Sequence, residues 1–252
     1  MKFAMAVIRP LSTLLTKREW LGSERIPKAG GVIIAANHVS WLDPFALGHF
    51  VYSTGRLPRF MGKASLFRKP VIGMILRGAH QIPVHRGERD GAAALSDAVQ
   101  ALRDGEAVLL YPEGTLTLDP DLWPMQAKTG VARLALMSGA PVIPVAQWGA
   151  QEILGRSRRL RLFPRKTMQI HAMNPLRVEA LPADTQPTRE QLRAFTVEVM
   201  ESVRAELEVI RGVPSPAGVW DPQLHERVSA VTDRSPVASQ AEPTLNEEQG
   251  AS

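Results

Sequence analysis

Residues 31–43 read GVIIAANHVSWLD. The apolar run Gly31–Ala36 is the first buried strand, and the polar stretch Asn37–Asp43 leaves it at its C-terminal edge, where active sites of α/β sheets gather. His38 is a candidate general base. Asp43, five residues on, could hold one ring nitrogen so that the other faces a substrate hydroxyl. Residues five apart share no helical face, so the segment between them must turn. Asp43 followed by Pro44 suits such a turn, as a helix N-cap with proline at the first helical position. Taken alone, the pair also reads as an ordinary helix cap.

Working outward, residues 30–147 alternate short apolar runs with helical segments, which points to a single-domain mixed α/β fold, a largely buried sheet flanked by helices. Further strands are expected at Pro58–Gly62, Gln81–His85, Glu106–Tyr111 and Val142–Gln147, with a weaker one at Thr167–Ala172. Helices are expected over Ala92–Arg103, which Gly105 stops, and over Gln126–Met137. The clearest helix is Arg189–Arg211. Thr188 and Gln191 have capping-box spacing, Leu192, Phe195, Val199, Val203, Leu207 and Ile210 form one stripe, and Gly212 is the stop.

A second loop motif, Tyr111–Thr115 (YPEGT), follows another apolar strand. It offers the Glu113 carboxylate, the Thr115 hydroxyl and the unobstructed amides around Gly114, groups able to grip a polyhydroxy or phosphorylated ligand. Lys63 and Arg86 end two other strands, and Lys128 precedes a helix, so three cations stand where a phosphate could be met. Each is individually also a plain surface cation.

Composition narrows the chemistry. The 252 residues include no cysteine, which excludes a thiolate nucleophile, a redox pair, a disulfide and a cysteinyl metal site. No GxSxG, GxxxxGK or HExxH motif occurs, and no metal is expected. The net charge is +5, but residues 213–252 carry six acids and two arginines, which leaves +9 on residues 1–212. Such a body suits an anionic membrane surface, a phosphorylated substrate or nucleic acid. Nucleic acid has no stacking or helix-turn-helix motif in its favour, and none is expected as a partner. The run Arg156–Lys166 (RSRRLRLFPRK) holds six cations, no acid and three apolar side chains, a composition suited to anionic lipid headgroups.

Three regions are expected: residues 1–29 as an N-terminal membrane-surface segment, 30–212 as the catalytic domain, and 213–252 as a disordered, proline-rich acidic tail. No apolar stretch is long enough to span a bilayer.

HxxxxD after a strand, a segment ending in Arg86, PEGT, and then Val142, Ile143, Pro144 and Val145, in this order, resemble the glycerolipid acyltransferase family, specifically 1-acylglycerol-3-phosphate acyltransferases. The likeness covers about Gly30–Gln151. It implies a glycerol-3-phosphate acyltransferase-like fold and transfer of a fatty acyl group from acyl-CoA or acyl carrier protein, as co-substrate rather than bound cofactor, to the hydroxyl of a lysophospholipid. His38 would be the base and Asp43 its orienter; Arg86, Glu113, Gly114 and Thr115 would bind the glycerol phosphate. Lys63 and Lys128 fit looser basic positions, and Pro144 would shape the acyl pocket. A cytoplasmic protein, peripheral on the inner face of the cell membrane, is implied. One departure stands out: Leu116 occupies the position after EGT where the family often has arginine, amid the acids Asp119 and Asp121. It keeps open another acceptor, such as a glycolipid, an aminoacyl lipid or another lysolipid. A catalytically silent lipid-binding protein is the alternative from another class.

Overall fold

The computed structural model describes residues 10, 12–84, 88–182 and 184–229, the side chains of 88–92 excepted. Its centre is one sheet of β1 (Thr16–Leu21), β2 (Val32–Ala36), β3 (Pro58–Lys63), β4 (Ile82–Val84), β5 (Ala107–Leu110), β6 (Val142–Trp148) and β7 (Lys166–Ala172). The spatial order is β1-β7-β6-β2-β5-β3-β4. From β6 to β4 all neighbours are parallel; β7 runs antiparallel to β6, and β1 runs parallel to β7. This is the expected mixed α/β architecture.

The period-two alternation of β2 sorts its side chains between two apolar layers. Ile33 and Ala35 face α4 (Glu88–Arg103), α5 (Gly130–Ser138) and α7 (Arg189–Arg211), through Ala98, Leu102, Leu134, Phe195 and Val199. Val32, Ile34 and Ala36 face α1 (Asp43–Ser53) and α6 (Ala150–Leu154), through Leu47, Phe50 and Ile153. Both faces are dry, so β2 has no polar alternation, and burying a side chain such as Ile34 or Phe50 is worth about 1.5–3 kcal/mol. The chain leaving β2 passes through α1 on one face, and the chain leaving the adjacent β5 returns through α5 on the other. The loops after these two neighbours therefore part, which opens a crevice at their C-terminal ends.

Helix α7 has its expected bounds, and both capping-box bonds are made: Thr188 Oγ1 accepts from Gln191 N at 3.1 Å, and Thr188 N donates to Gln191 Oε1 at 2.9 Å. Two short helices, α2 (Ala64–Phe67) and α3 (Pro70–Gly78), follow β3. No described helix is long and apolar enough to cross a membrane.

Four expectations need correction. Residues 16–21, assigned to a membrane-surface segment, are an edge strand in register with β7 from Thr16↔Lys166 to Leu21↔His171. Residues 1–9 lie outside the described residues. The tail does not begin at Val213, because β8 (Val219–Asp221) and β9 (Glu226–Val228) form a hairpin seated on the loop after β5. Gln126 N donates to Trp220 O, and Arg227 pairs with Asp119, which is 1% exposed. Residues 230–252 lie outside the described set. Helix α5 starts at Gly130 rather than Gln126, since Gln126 N and Lys128 N donate instead to Trp220 O and Pro112 O. Helix α1 starts at Asp43 itself, with Leu42 in the cap position; the Asp43 side chain turns back to the loop instead of capping the helix.

Candidate active site

The loop from β2 into α1 is built around one oxygen. Asp43 Oδ2 accepts from Val39 N at 2.7 Å, Ser40 N at 2.8 Å and His38 Nδ1 at 2.9 Å, and Asp43 is fully buried. Two backbone donors and one ring donor on a single atom force the turn that the five-residue spacing requires. A carboxylate only accepts, so Nδ1 carries the proton and Nε2 is the nitrogen left with a lone pair. The His38 side chain is 13% exposed, so it is open to solvent at the strand ends. The two residues expected to act together are in contact.

The second loop supports the first. Glu113 is 3% exposed and turned inward: its Oε1 accepts from His38 N at 2.8 Å, and its Oε2 from Met125 N at 3.0 Å. Thr117 N donates to His38 O at 2.7 Å. Both backbone groups of His38 are thus held by the loop after β5, and Glu113 is a support rather than an open substrate ligand. Burial pushes the Glu113 carboxyl up to about 8, against the pull of the Met125 and His38 amides.

Tyr111, which the sequence left without a role of its own, stacks on His38 with ring centroids 4.0 Å apart and planes 13° from parallel. Burial first, and then the Asp43 charge, raise its phenol well above the usual value, so it remains neutral. Its place at the head of YPEGT, where a buried strand delivers its last side chain, was the available signal. Asn37 and Gln147 were also missed. Asn37 Nδ2 donates to Gln147 O, Gln147 N to Asn37 Oδ1, and Gln147 Nε2 to Asn37 O, at 3.0, 2.8 and 2.7 Å, which continues the β2–β6 pairing just before His38.

The remaining expected site residues divide. Gly114 and Thr115 are exposed at the loop tip. Gly114 has φ +72°, and a Cβ there would lie 3.3 Å from Lys128 Cε and 3.4 Å from Lys128 Nζ; the Lys128 stem therefore runs over the PEGT turn. Lys63 is exposed at the end of β3, separated from β2 by β5, so it does not join the His38 cluster. Pro144 is buried within β6 opposite Ala35, three residues short of His38, inside the sheet and not in the crevice. Arg86 lies outside the described residues.

Two electrostatic expectations change as well. Leu116 is 6% exposed, so this position faces the interior. Asp119 and Asp121 are paired and not open to a ligand as free acids, because Arg227 Nη2 lies 2.7 Å from both Asp119 oxygens and 3.0 Å from Asp121 Oδ2. The cationic run does border the site: Arg158 sits 4.8 Å from the Trp41 ring centroid, and Ser40 Oγ donates to Leu154 O at 2.8 Å. Among the described residues, no group of three His, Asp or Glu side chains is placed to hold a metal ion.

Comparison with known proteins adds independent findings. Residues 17–148, which contain every expected site residue, match the family model described as Acyltransferase. A 1-acyl-sn-glycerol-3-phosphate acyltransferase of Bacillus subtilis is 29% identical over 212 residues, covering 82% of this chain and 96% of that protein. One from Borreliella burgdorferi is 34% identical over 125 residues, 49% of this chain and 48% of its own. The crystal structure of the 1-acyl-sn-glycerophosphate acyltransferase from Thermotoga maritima superposes with a TM-score of 0.65 at 24% identity, over 85% of this chain and 83% of that one. It bears on the fold.

Proposed function

The chain belongs to the acyltransferase family, and from that premise we propose that it esterifies the free hydroxyl of 1-acylglycerol-3-phosphate with an acyl group from acyl-CoA or acyl carrier protein, forming phosphatidic acid. The observation that carries this reading is the 2.9 Å contact between His38 Nδ1 and the buried Asp43 at the mouth of the crevice. It leaves Nε2 able to accept a proton from an alcohol.

A thioester is already activated, so the protein's task is to deprotonate one hydroxyl, align it and stabilise the charge that develops. The acceptor hydroxyl gives its proton to His38 Nε2 as its oxygen bonds to the thioester carbonyl carbon. The resulting imidazolium is stabilised by the Asp43 carboxylate on its other side. The C–S bond then breaks, and His38 returns the proton to the departing thiolate. No covalent enzyme intermediate is needed, which accords with a chain without cysteine. Tyr111 restricts the His38 ring to one plane, and Glu113 and Thr117 fix its backbone.

The protein works as a peripheral enzyme on the inner face of the cell membrane, with the Arg156–Lys166 run against anionic headgroups beside the site. Lys128, above Gly114, meets the acceptor phosphate. The buried Leu116 favours a second reading, the same reaction on another lysolipid, because this loop offers no arginine to a phosphate.

The test is thioester consumption from oleoyl-CoA with and without lysophosphatidic acid, for the wild type and His38→Ala. Release that depends on the acceptor and falls by about a thousandfold or more in the variant is the expected result. Release equal in the two proteins would remove His38 from the mechanism, and a lysolipid panel separates the two acceptors.

A further inference from the structure

Helix α3 stands with its apolar side chains in solvent. Val71, Ile72, Met74 and Ile75 are 65, 45, 63 and 50% exposed, and Leu66 of α2 adds another at 39%. Only Gly73 of this helix is buried, and the reason is steric: a Cβ at Gly73 would fall 2.0 Å from Phe67 O. The helix therefore docks through its bare backbone at Gly73, assisted by a hydrogen bond from Arg77 to the Phe67 carbonyl and by the half-buried Leu76, and leaves Val71, Ile72, Met74 and Ile75 outward. Nine residues of helix are marginal in water without a packed apolar face. This helix keeps its place and leaves that face open.

Charge and position select the occupant. Between Lys63 and His80 there are four cations (Lys63, Arg68, Lys69 and Arg77) and no acid. Arg68, Lys69 and Arg77 are exposed beside the apolar side chains. A second copy of this chain packed across a two-fold axis would bring these cations toward one another with no carboxylate from the segment between them. An anionic bilayer accepts both features, apolar side chains below the headgroups and cations among the phosphates. Helices α2 and α3 also continue directly from the C-terminal end of β3, the sheet edge on which the His38 crevice opens. We propose that α3 is the element that inserts into an anionic membrane surface and holds the crevice at headgroup level, where the hydroxyl and phosphate of an amphiphilic acceptor lie. The inference rests on the acyltransferase reading for its purpose and on exposure and charge for its evidence.

The experiment uses the full chain, with flotation on vesicles of phosphatidylglycerol and phosphatidylethanolamine. It compares the wild type, M74E/I75E and Met74→Leu, with far-ultraviolet circular dichroism and melting curves to establish that each is folded. M74E/I75E should lower the partition coefficient by about tenfold or more, while Met74→Leu stays within about twofold of the wild type. Acyl transfer to vesicle-borne lysophosphatidic acid should fall in parallel in M74E/I75E, and transfer to a short-chain, monomeric lysophosphatidic acid should be retained. A folded M74E/I75E that floats like the wild type, or a wild type that does not float, overturns the proposal. So does a wild-type dimer in sedimentation that M74E/I75E converts to a monomer, since the face would then belong to a second copy. Flotation that depends on α3, with no acyl transfer to either form of the acceptor, would support α3 as a membrane element and overturn the acyltransferase reading instead.

Discussion

The turn from β2 into α1 and the loop after β5 each place a buried carboxyl group against His38, and the two are wired differently. Asp43 gathers three donors on a single oxygen, Oδ2, while its Oδ1 has no hydrogen-bond partner among the described residues. Glu113 uses both oxygens, one for each backbone amide. The Asp43 carboxylate touches the imidazole; the Glu113 carboxyl instead holds the backbone amide of the residue that carries it, together with that of Met125. One loop does the chemistry, and the other determines where the chemistry stands.

That difference makes the amide substitutions diverge. In Asp43→Asn, the amide oxygen can take the place of Oδ2 and receive all three donors, while the NH₂ group occupies the place of Oδ1. The turn survives and the charge behind the imidazolium is lost. The turnover number should fall about a hundredfold or more with the melting temperature nearly unchanged, read by steady-state kinetics beside calorimetry. A collapse of stability would show that the three bonds need the charge, and the contrast between the loops would disappear.

Glu113→Gln has no such solution, because one of its two amide partners must face an NH₂ group. A buried backbone donor is left unpaired, at a cost of about 1–3 kcal/mol in stability, with activity falling only as the loop loosens. Its pH dependence has a definite sign. Burial raises the folded-state carboxyl from the ordinary 4.5 to about 8, so the folded chain keeps a proton that the unfolded chain has released. The stability contributed by this group is fully present below about pH 4.5 and is lost as pH rises through about 8. The stability advantage of the wild type over Glu113→Gln should therefore shrink across that window in chemical denaturation. A difference that is constant with pH would mean that folding leaves the Glu113 carboxyl unshifted and that burial does not hold its proton.

Much of this contrast was visible in the residues, and the hidden part has physical causes. Strand β2 is buried on both faces and so is written as an uninterrupted apolar run, and the spacing of His38 and Asp43 required a turn between them. Glu113 was misread because a carboxylate in a Pro-Gly loop has no periodicity to say whether it points inward; only the amides of His38 and Met125, 75 and 12 residues away, turn it in. Strand β1 was hidden by its exposed edge, since residues 17–19 are charged and solvated while the backbone pairs with β7. The hairpin of β8 and β9 is too short to hold by local propensity. Its anchors, Trp220 at Gln126 and Arg227 at Asp119, are contacts across about a hundred residues that composition does not carry. Pro144 drew attention as a motif residue, yet the parallel register with Ala35 puts it deep in the sheet.

The smallest expected effect belongs to the tip of the second loop, and it asks whether that loop binds anything at all. With Leu116 turned inward and Glu113 occupied by backbone amides, Lys128 over Gly114 is a cation at the PEGT turn that could meet a phosphate. An exposed lysine contributes through one flexible, charge-assisted contact, so Lys128→Ala should raise KM for lysophosphatidic acid about five- to tenfold and leave kcat within about twofold. The discriminating measurement uses the same acceptor without its phosphate, a 1-acylglycerol. The lysine has nothing to hold there, so wild type and variant should have equal KM. If KM rose equally for both acceptors, Lys128 would be supporting the Gly114 turn instead of the ligand, and the loop after β5 would be scaffold from end to end.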